Sequence, residues 1–186
     1  MENVLEYRFQ DSVKVTTLVE AISIHAGKSK VAERTLKPLN GLRVACYYGC
    51  LMTRPPAVTG VAHVENPTEM ESLLTAAGAE VIDWSYKTTC CGAAHSLTKP
   101  EIVWRLSSKL IVEAQKASAE ALAVACPLCH TNLDARQFQM GLEKPLPVLY
   151  FTQLLGIAFG LSPAQVSLEK NLTDPFPLLR SKGLIG

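Results

Sequence analysis

The sequence has almost no net charge, no long hydrophobic run and no recognisable secretory signal. Its 18 Lys and Arg nearly balance 17 Asp and Glu, so nothing in the charge indicates nucleic-acid binding. The longest apolar candidate, residues 146–161, is interrupted by Pro147 and Gly156 and falls short of the roughly 18 apolar residues of a membrane-spanning helix. The N-terminal residues include early acids and no apolar core. We therefore expect a cytoplasmic protein without a transmembrane segment.

What the sequence does have is six cysteines. Hydrophobic residues make up 48% and charged residues 19% of the 186 positions, which is typical of a globular domain rather than a disordered chain. A domain of this length can bury a core without disulfides. Disulfides are rare in the cytoplasm, where clustered cysteines more often bind metal or carry redox chemistry. Buried core residues, disulfides and metal ligands are thus the three roles to separate.

Short apolar, β-prone runs alternate with helical patterns along most of the chain. Two helices have recognisable starts, one with Asn66 as N-cap and an end at Gly78, the other with a capping box at Thr98. A short helix is predicted to run through Leu133 and Phe138. Strands are predicted at 42–48, 79–85, 121–125 and 147–151, the last being either a strand or the start of the following helix. The alternation predicts an α/β fold with a mainly parallel sheet flanked by helices.

The two ends of the chain have weaker patterns. Residues 12–26 predict a helix, or a short strand at Val13–Val15 that leads into one, and residues 27–41 are polar and typical of a linker. Ser162 is predicted to cap a short turn, and the proline-rich residues 174–186 are predicted to be irregular. This gives two parts, an N-terminal helix and linker at 1–41 and a main domain at 42–186.

Five of the cysteines follow predicted strands. Cys50 comes after the first strand, the pair Cys90 and Cys91 after the second, and Cys126 and Cys129 after the third. The carboxyl ends of parallel strands share one edge of the sheet, where ligands bind. We therefore expect five thiols from three distant segments to meet at one place.

The number and spacing of these thiols bear on what they could bind. Thiolates select iron–sulfur clusters, zinc or Cu(I), and four of them satisfy tetrahedral zinc or a cubane cluster. Cys90 and Cys91 are neighbours, so their side chains would point in opposite directions and could reach two metals. A multinuclear cluster fits best, while zinc, a disulfide redox switch and buried structural thiols stay as alternatives. Gly49 and Gly92 would let the backbone approach a bulky cofactor, and Cys46, inside the first strand, is predicted to be a core residue.

The cysteine pattern resembles a known family. The order Cys50, 39 residues, Cys90-Cys91-Gly92, 34 residues and Cys126-x-x-Cys129 is similar to the CCG cysteine-rich domain of heterodisulfide reductases and their relatives, over residues 41–180. In those reductases the B-type subunit carries two such domains. This chain resembles the second one, with residues 1–41 similar to the end of a first domain plus the linker. The resemblance implies one noncubane [4Fe-4S] cluster, bound by Cys50, Cys90, Cys91, Cys126 and Cys129.

The resemblance also implies a function. We expect an iron–sulfur redox subunit of a multi-subunit complex, an oxidoreductase of sulfur groups that reduces a disulfide or oxidises thiols at the cluster. Its implied partners are a ferredoxin-like iron–sulfur subunit, often together with a flavoprotein subunit, and a second CCG domain from another chain or a second copy. The alternatives are a non-catalytic electron relay in a lactate, glycolate or succinate-type dehydrogenase, and a zinc-binding interaction domain.

Candidate residues beyond the five cysteines are few. The chemistry is expected at the cluster, and the catalytic residues are otherwise unknown. His95 and His130, which follow the cysteine loops, are candidates for a hydrogen bond to a sulfur or for proton delivery to a substrate thiolate. Arg54, Lys87 and Lys99 flank the same loops and are either receptors for an anionic substrate or solvated loop charges.

Overall fold

The sheet of this protein is parallel throughout its described part. The computed structural model describes Val4, Arg8, Gln10 and residues 12–142 and 144–186, and most of the first eleven residues of the predicted segment 1–41 lie outside it. Within these residues the strands pair in the order β2-β1-β3-β4, every neighbouring pair being parallel. The strands are β1 (Arg43–Tyr47), β2 (Glu80–Ile82), β3 (Ala121–Val124) and β4 (Val148–Tyr150). The predicted α/β fold with a mainly parallel sheet is confirmed.

Helices cover both faces of the sheet. Single 3₁₀ turns occur at Ala93–His95, Gln137–Met140 and Leu168–Lys170. The described α-helices are α1 (Leu18–His25), α2 (Gly27–Arg34), α3 (Pro56–Thr59), α4 (Glu69–Ala76), α5 (Pro100–Lys116), α6 (Pro127–Asp134), α7 (Phe151–Ala158) and α8 (Phe176–Ser181).

Each face of the sheet packs a hydrophobic core. Val44 and Cys46 of β1 face the core made with α1, α2, α4 and α7, whereas Ala45 and Tyr47 face the core made with α5 and α6. Burial on both faces explains why the two central strands, β1 and β3, are continuous apolar runs rather than alternating ones. Cys46 has no exposed surface, so its prediction as a core residue is confirmed.

The strands begin and end close to the predicted positions. The prediction for 147–151 contained two alternatives, and both hold in part: β4 ends at Tyr150 and α7 begins at Phe151. The second strand is shorter than predicted, because its pairing with β1 ends at Ile82. The indole N–H of Trp84 then donates to the Cys46 carbonyl at 2.8 Å, where a strand amide would otherwise pair.

The predicted linker at 27–41 is wrong in its first half, which forms α2. Most residues of this helix are polar, but its Val31 is 2% exposed and joins the same core as Val19 of α1. One buried side chain in eight residues leaves too weak a periodic signal to predict a helix. The strand considered at Val13–Val15 does not form, and α1 begins after Thr17, whose hydroxyl accepts from the Glu20 N–H at 3.1 Å.

Three other local predictions are wrong. The helix expected after Asn66 begins only at Glu69, because the Asn66 amide oxygen accepts from Lys87 Nζ at 2.8 Å instead of capping the helix. Helix α5 begins at Pro100 with no side-chain cap from the predicted box. The tail contains α8, since prolines lie only in its first turn, where a helix needs no N–H, and Asp174 accepts from the Phe176 N–H at 2.9 Å.

The remaining helix predictions are close to the structure. α6 contains Leu133 but ends at Asp134, and Phe138 lies in the next 3₁₀ turn. The predicted turn at Ser162 is present, with reciprocal hydrogen bonds between Ser162 and Gln165. No helix among the described residues is long and apolar enough to cross a membrane.

Candidate functional site

Five thiols from three separate segments, two loops and the start of α6, lie together in the structure. The Cys50 and Cys90 sulfurs are 3.8 Å apart, and the Cys91 and Cys129 sulfurs are 3.6 Å apart. Cys126, at the N-cap of α6, shares a hydrogen bond with Cys129 one turn later. The sixth cysteine, Cys46, belongs to the core on the other face of the sheet from Cys91 and Cys129.

Gly49 allows the first loop to pass close to the buried thiols. Its φ is +67°, and a β-carbon added there would lie 2.7 Å from the Cys129 sulfur. Gly92, with φ +85°, is packed against Val103 of α5, and its N–H donates to the Cys90 sulfur at 3.3 Å. Both positions therefore require a residue without a side chain.

A buried charged network ties the first cysteine loop to the second. The Lys87 carbonyl accepts from the N–H groups of Tyr48 at 2.8 Å and Gly49 at 3.1 Å. Its ammonium is 2.9 Å from Glu71 and 2.8 Å from the Asn66 amide oxygen, and Glu71 also accepts from the Tyr48 hydroxyl. We refer to Lys87, Glu71, Tyr48 and Asn66 as the Lys87 network. Lys87 is only 5% exposed and paired, so it is neither a solvated loop charge nor an open anion receptor.

Tyr47 fixes the other end of the second loop. Its hydroxyl donates to the Thr89 carbonyl at 2.6 Å, directly before Cys90. Burial raises the pKa of Tyr47 far above its ordinary value, and the negative charges of Cys129, Cys91 and Cys90 raise it further. Tyr47 is thus a protonated phenol beneath the thiols.

The thiols differ in acidity because they share protons and have different surroundings. The hydrogen bond shared with Cys129 lowers the pKa of Cys91 to about 6 although burial opposes it, and a hydrogen bond from Asn132 also lowers it. The contact with Cys129 lowers the pKa of Cys126 to about 6 in the same way, assisted by backbone N–H groups at the start of α6. The contacts with Cys126 and Cys91, together with burial, raise the pKa of Cys129 well above the usual value. Burial and the neighbouring Cys90 raise the pKa of Cys50.

The site is open on one side. Cys91 and Cys129 are buried, Cys50 and Cys126 are half-buried, and Cys90 is exposed. Among the flanking charges, Arg54 donates to the Thr88 carbonyl at 3.1 Å and pairs with Glu65, while Lys99 is exposed. The exposed Cys90, beside Cys50, leaves a side from which a bulky partner could approach the sulfurs.

The two candidate histidines have different environments. His95 is exposed in the 3₁₀ turn after the second cysteine loop. The His130 ring stacks on Tyr150 at 4.3 Å, and its Nε2 lies 3.1 Å from the Val148 carbonyl and 3.3 Å from the Asn171 amide nitrogen. Burial lowers the pKa of His130. His130 is therefore held toward β4.

The five thiols are chemically suited to hold a cluster of several iron atoms. Soft thiolates are the ligands that iron–sulfur clusters use, and here they come as contacting pairs from three segments. Within the part of the chain that the structure describes, no group of three or more Cys, His, Asp and Glu side chains is positioned to hold a single metal ion.

Sequence comparison places this site in a known domain. Residues 44–134 match the family model described as a cysteine-rich domain, CCG. Residues 44–134 form a CCG cysteine-rich domain. It runs from β1 to the end of α6 and contains all five neighbouring thiols together with Cys46.

Curated relatives extend the match beyond the CCG domain. The B-type subunit of the ferredoxin:CoB-CoM heterodisulfide reductase of Methanosarcina mazei is 32% identical over 92% of this chain and 59% of its own length. The membrane anchor subunit of the 8-methylmenaquinol:fumarate reductase of Wolinella succinogenes is 33% identical over 89% of this chain and 59% of its own length. The B-type subunit of the ferredoxin/F(420)H(2)-dependent CoB-CoM heterodisulfide reductase of Methanosarcina acetivorans is 30% identical, with 88% and 56% covered. The chain thus spans less than two thirds of the length of these relatives.

Two residues of the site have no counterpart among the sequence predictions. Tyr47 lies beneath the thiols, and Asn132 lies three residues after Cys129 on α6, with its amide nitrogen 3.6 Å from the Cys91 sulfur. The spacing of Asn132 from Cys129 is the one signal that could have pointed to it, since residues three apart on a helix are neighbours.

Proposed function

We propose that the CCG domain binds one noncubane [4Fe-4S] cluster through Cys50, Cys90, Cys91, Cys126 and Cys129, as an iron–sulfur redox subunit of a multi-subunit complex. The observation that carries the proposal is the contact between thiols of three different segments, at 3.8 Å for Cys50 with Cys90 and 3.6 Å for Cys91 with Cys129. The family match and the reductase subunits among the relatives support a redox role.

The proposed reaction is reduction of a disulfide, or oxidation of thiols in the reverse direction. When bound, such a cluster supplies one-electron transfer and an iron that can accept a substrate sulfur. The protein residues hold the sulfurs, exclude water around the buried Cys91 and Cys129, and leave the Cys50 and Cys90 side open for a substrate. The two histidines retain different proposed roles: the exposed His95 could deliver a proton to a leaving thiolate, whereas His130 would position α6 against β4.

Partners and location form part of the same proposal. The electron donor would be a ferredoxin-like iron–sulfur subunit, with or without a flavoprotein subunit, in the cytoplasm. A second CCG domain, from another chain or a second copy, would face the open side of the site. Residues 1–41 would be the end of a preceding CCG domain, although α1 and α2 pack on the same core as the sheet.

A second candidate function is supported by one of the relatives. The Wolinella protein, named as a membrane anchor subunit of a fumarate reductase, is as similar to this chain as the heterodisulfide reductase subunits are. If this chain has a role of that kind, the CCG domain would be a non-catalytic electron relay, and no substrate sulfur would bind at the site.

Anaerobic purification of the full chain, followed by iron, sulfide and zinc analysis and EPR, tests the proposal. About four iron and four sulfide per chain are expected for one cluster. Stoichiometric zinc without iron would overturn it. Thiols and disulfides added to the oxidised protein separate the two functions, because a sulfur that binds the site changes the EPR spectrum and a relay leaves it unchanged.

A further inference from the structure

We propose that Asn132 is a positioning residue that sets the reduction potential of the site by donating a hydrogen bond to the Cys91 thiolate. The inference rests on the cluster of the proposed function. It assigns a role to a residue that is not itself a ligand.

Asn132 is placed against the sulfur by helix geometry. It is 2% exposed and follows Cys129 by three residues on α6, so both side chains lie on the same side of that helix. Cys129 Sγ and Asn132 Nδ2 each lie 3.6 Å from Cys91 Sγ. A single helix face thus supplies one neighbouring thiol and one amide donor to Cys91.

The orientation of the Asn132 amide is fixed by a serine. The Ser96 hydroxyl donates to Asn132 Oδ1 at 3.1 Å, and the Ser96 carbonyl accepts from Arg136 at 3.1 Å. With its oxygen satisfied by Ser96, the amide turns its NH₂ group toward Cys91. The reverse orientation would bring the amide oxygen against a thiolate, and the partial negative charge of that oxygen would be repelled by the sulfur.

Such a donor acts on the potential because it stabilises negative charge on the sulfur. A reduced cluster carries one more electron than an oxidised one, so the hydrogen bond stabilises the reduced state more and raises the reduction potential. Cys90 receives its donor from the backbone of Gly92, which no side-chain substitution removes. The Cys91 donor is a side chain and can be removed selectively.

The test compares midpoint potentials of the full chain, purified anaerobically and titrated under EPR. Asn132→Leu removes the donor, Asn132→Asp replaces it with a carboxylate, and Ser96→Ala removes the group that orients the amide. We expect iron content to be retained and the potential to become more negative in all three, most in Asn132→Asp and least in Ser96→Ala. Gln137→Leu is the matched control, because Gln137 is a buried amide just after α6 whose side chain bonds backbone atoms of Leu133 and Leu146.

The outcomes separate this inference from the proposed function. A wild-type chain without iron and sulfide contradicts both. A wild-type cluster together with an unchanged potential in Asn132→Leu, or in Asn132→Asp and Ser96→Ala if the leucine variant does not fold, overturns the inference alone. An equal shift in Gln137→Leu also overturns it, because the effect would then follow from loosened packing rather than from a donor to Cys91.

Discussion

The two edges of the sheet carry their charged side chains in different ways. At the carboxyl edge, beside the thiols, a buried Lys87 pairs with a largely buried Glu71, the side chains being 6% and 15% exposed. At the amino edge, Glu120 bridges Lys182 at 2.8 Å and Arg43 at 3.6 Å, and the Arg43 side chain is 42% exposed. Arg43 and Glu120 border an open cleft of about 1170 Å³.

The difference follows from what the polar groups hold in place. At the carboxyl edge they connect one cysteine loop to another: the Lys87 carbonyl binds the loop of Cys50, and the Tyr47 hydroxyl binds the carbonyl of Thr89. At the amino edge they join the starts of two strands to the C-terminal residues near α8. Buried charge is expensive unless it is paired, so its use beside the thiols indicates that loop position matters there. Substitutions at the carboxyl edge should therefore lower the free energy of unfolding more than those at the amino edge, and some should also reduce the amount of bound iron.

The largest expected effect is loss of the cluster when both members of the cysteine pair are replaced. Cys90→Ser combined with Cys91→Ser removes one exposed and one buried thiol from the site. Iron and sulfide analysis should show little or none of either, because the three remaining thiols of the site come from only two segments. Cys46→Ser is the control and should keep the visible and EPR spectra, since Cys46 lies in the other core. An intact cluster in the double variant would refute the ligand assignment.

Breaking the Lys87 network should lower the free energy of unfolding more than breaking the Glu120 ion pairs at the amino edge. Lys87→Met leaves the Glu71 carboxylate, which is 15% exposed, without its cation, and removing one partner of a buried pair typically costs about 3–5 kcal/mol. Urea unfolding followed by circular dichroism would measure the loss. Adding Glu71→Gln to Lys87→Met should recover part of it, because the unpaired charge is then gone. A loss no greater than that of Glu120→Gln would remove the contrast between the edges.

The strands were predictable from sequence because their signals are local. Apolar runs bounded by glycine and proline indicated the strands, and the cysteines that follow them could be assigned to one edge once a parallel sheet was expected. That these five are cluster ligands stays a prediction. Helix α2 could not be predicted, because only Val31 attaches it to the core.

The surroundings of the thiols were not predictable, because they depend on contacts between distant segments. Lys87, Glu71 and Tyr48 come from three segments, and a lysine beside a cysteine loop is more often solvated than buried. Asn66 was assigned to helix capping from its neighbours, whereas the fold uses its amide oxygen as a partner for Lys87. The role of Asn132 could be predicted only from the positions of Cys91 and Ser96, which lie more than 30 residues away in sequence.

Two glycines with the same backbone conformation provide a smaller, matched comparison. Gly49, at φ +67°, is next to the Cys129 sulfur, and Gly141, at φ +64°, borders the amino-edge cleft with no described residue within 4 Å of an added β-carbon. Gly141→Ala should cost about 1–2 kcal/mol from backbone strain alone. Gly49→Ala should lose more in urea unfolding and also reduce bound iron, because the methyl group displaces Cys129. If both variants lose the same free energy of unfolding and bind the same amount of iron, the Cys129 thiol can move aside to make room for the added methyl group.

The smallest expected effect concerns Glu120 and its dependence on pH. Burial raises the pKa of its carboxyl, but the hydrogen bonds from Lys182 and the Arg43 N–H and both positive charges outweigh burial, so the net pKa is lowered. A carboxyl with a lowered folded pKa adds stability above its unfolded pKa and loses it as the pH falls through the folded value. Glu120→Gln should therefore cost about 0.2–1 kcal/mol at neutral pH. The difference from wild type should shrink below about pH 4, near the ordinary pKa of a glutamate. A difference that stays constant down to acid pH would mean that the hydrogen bonds, rather than the charge, stabilise this edge.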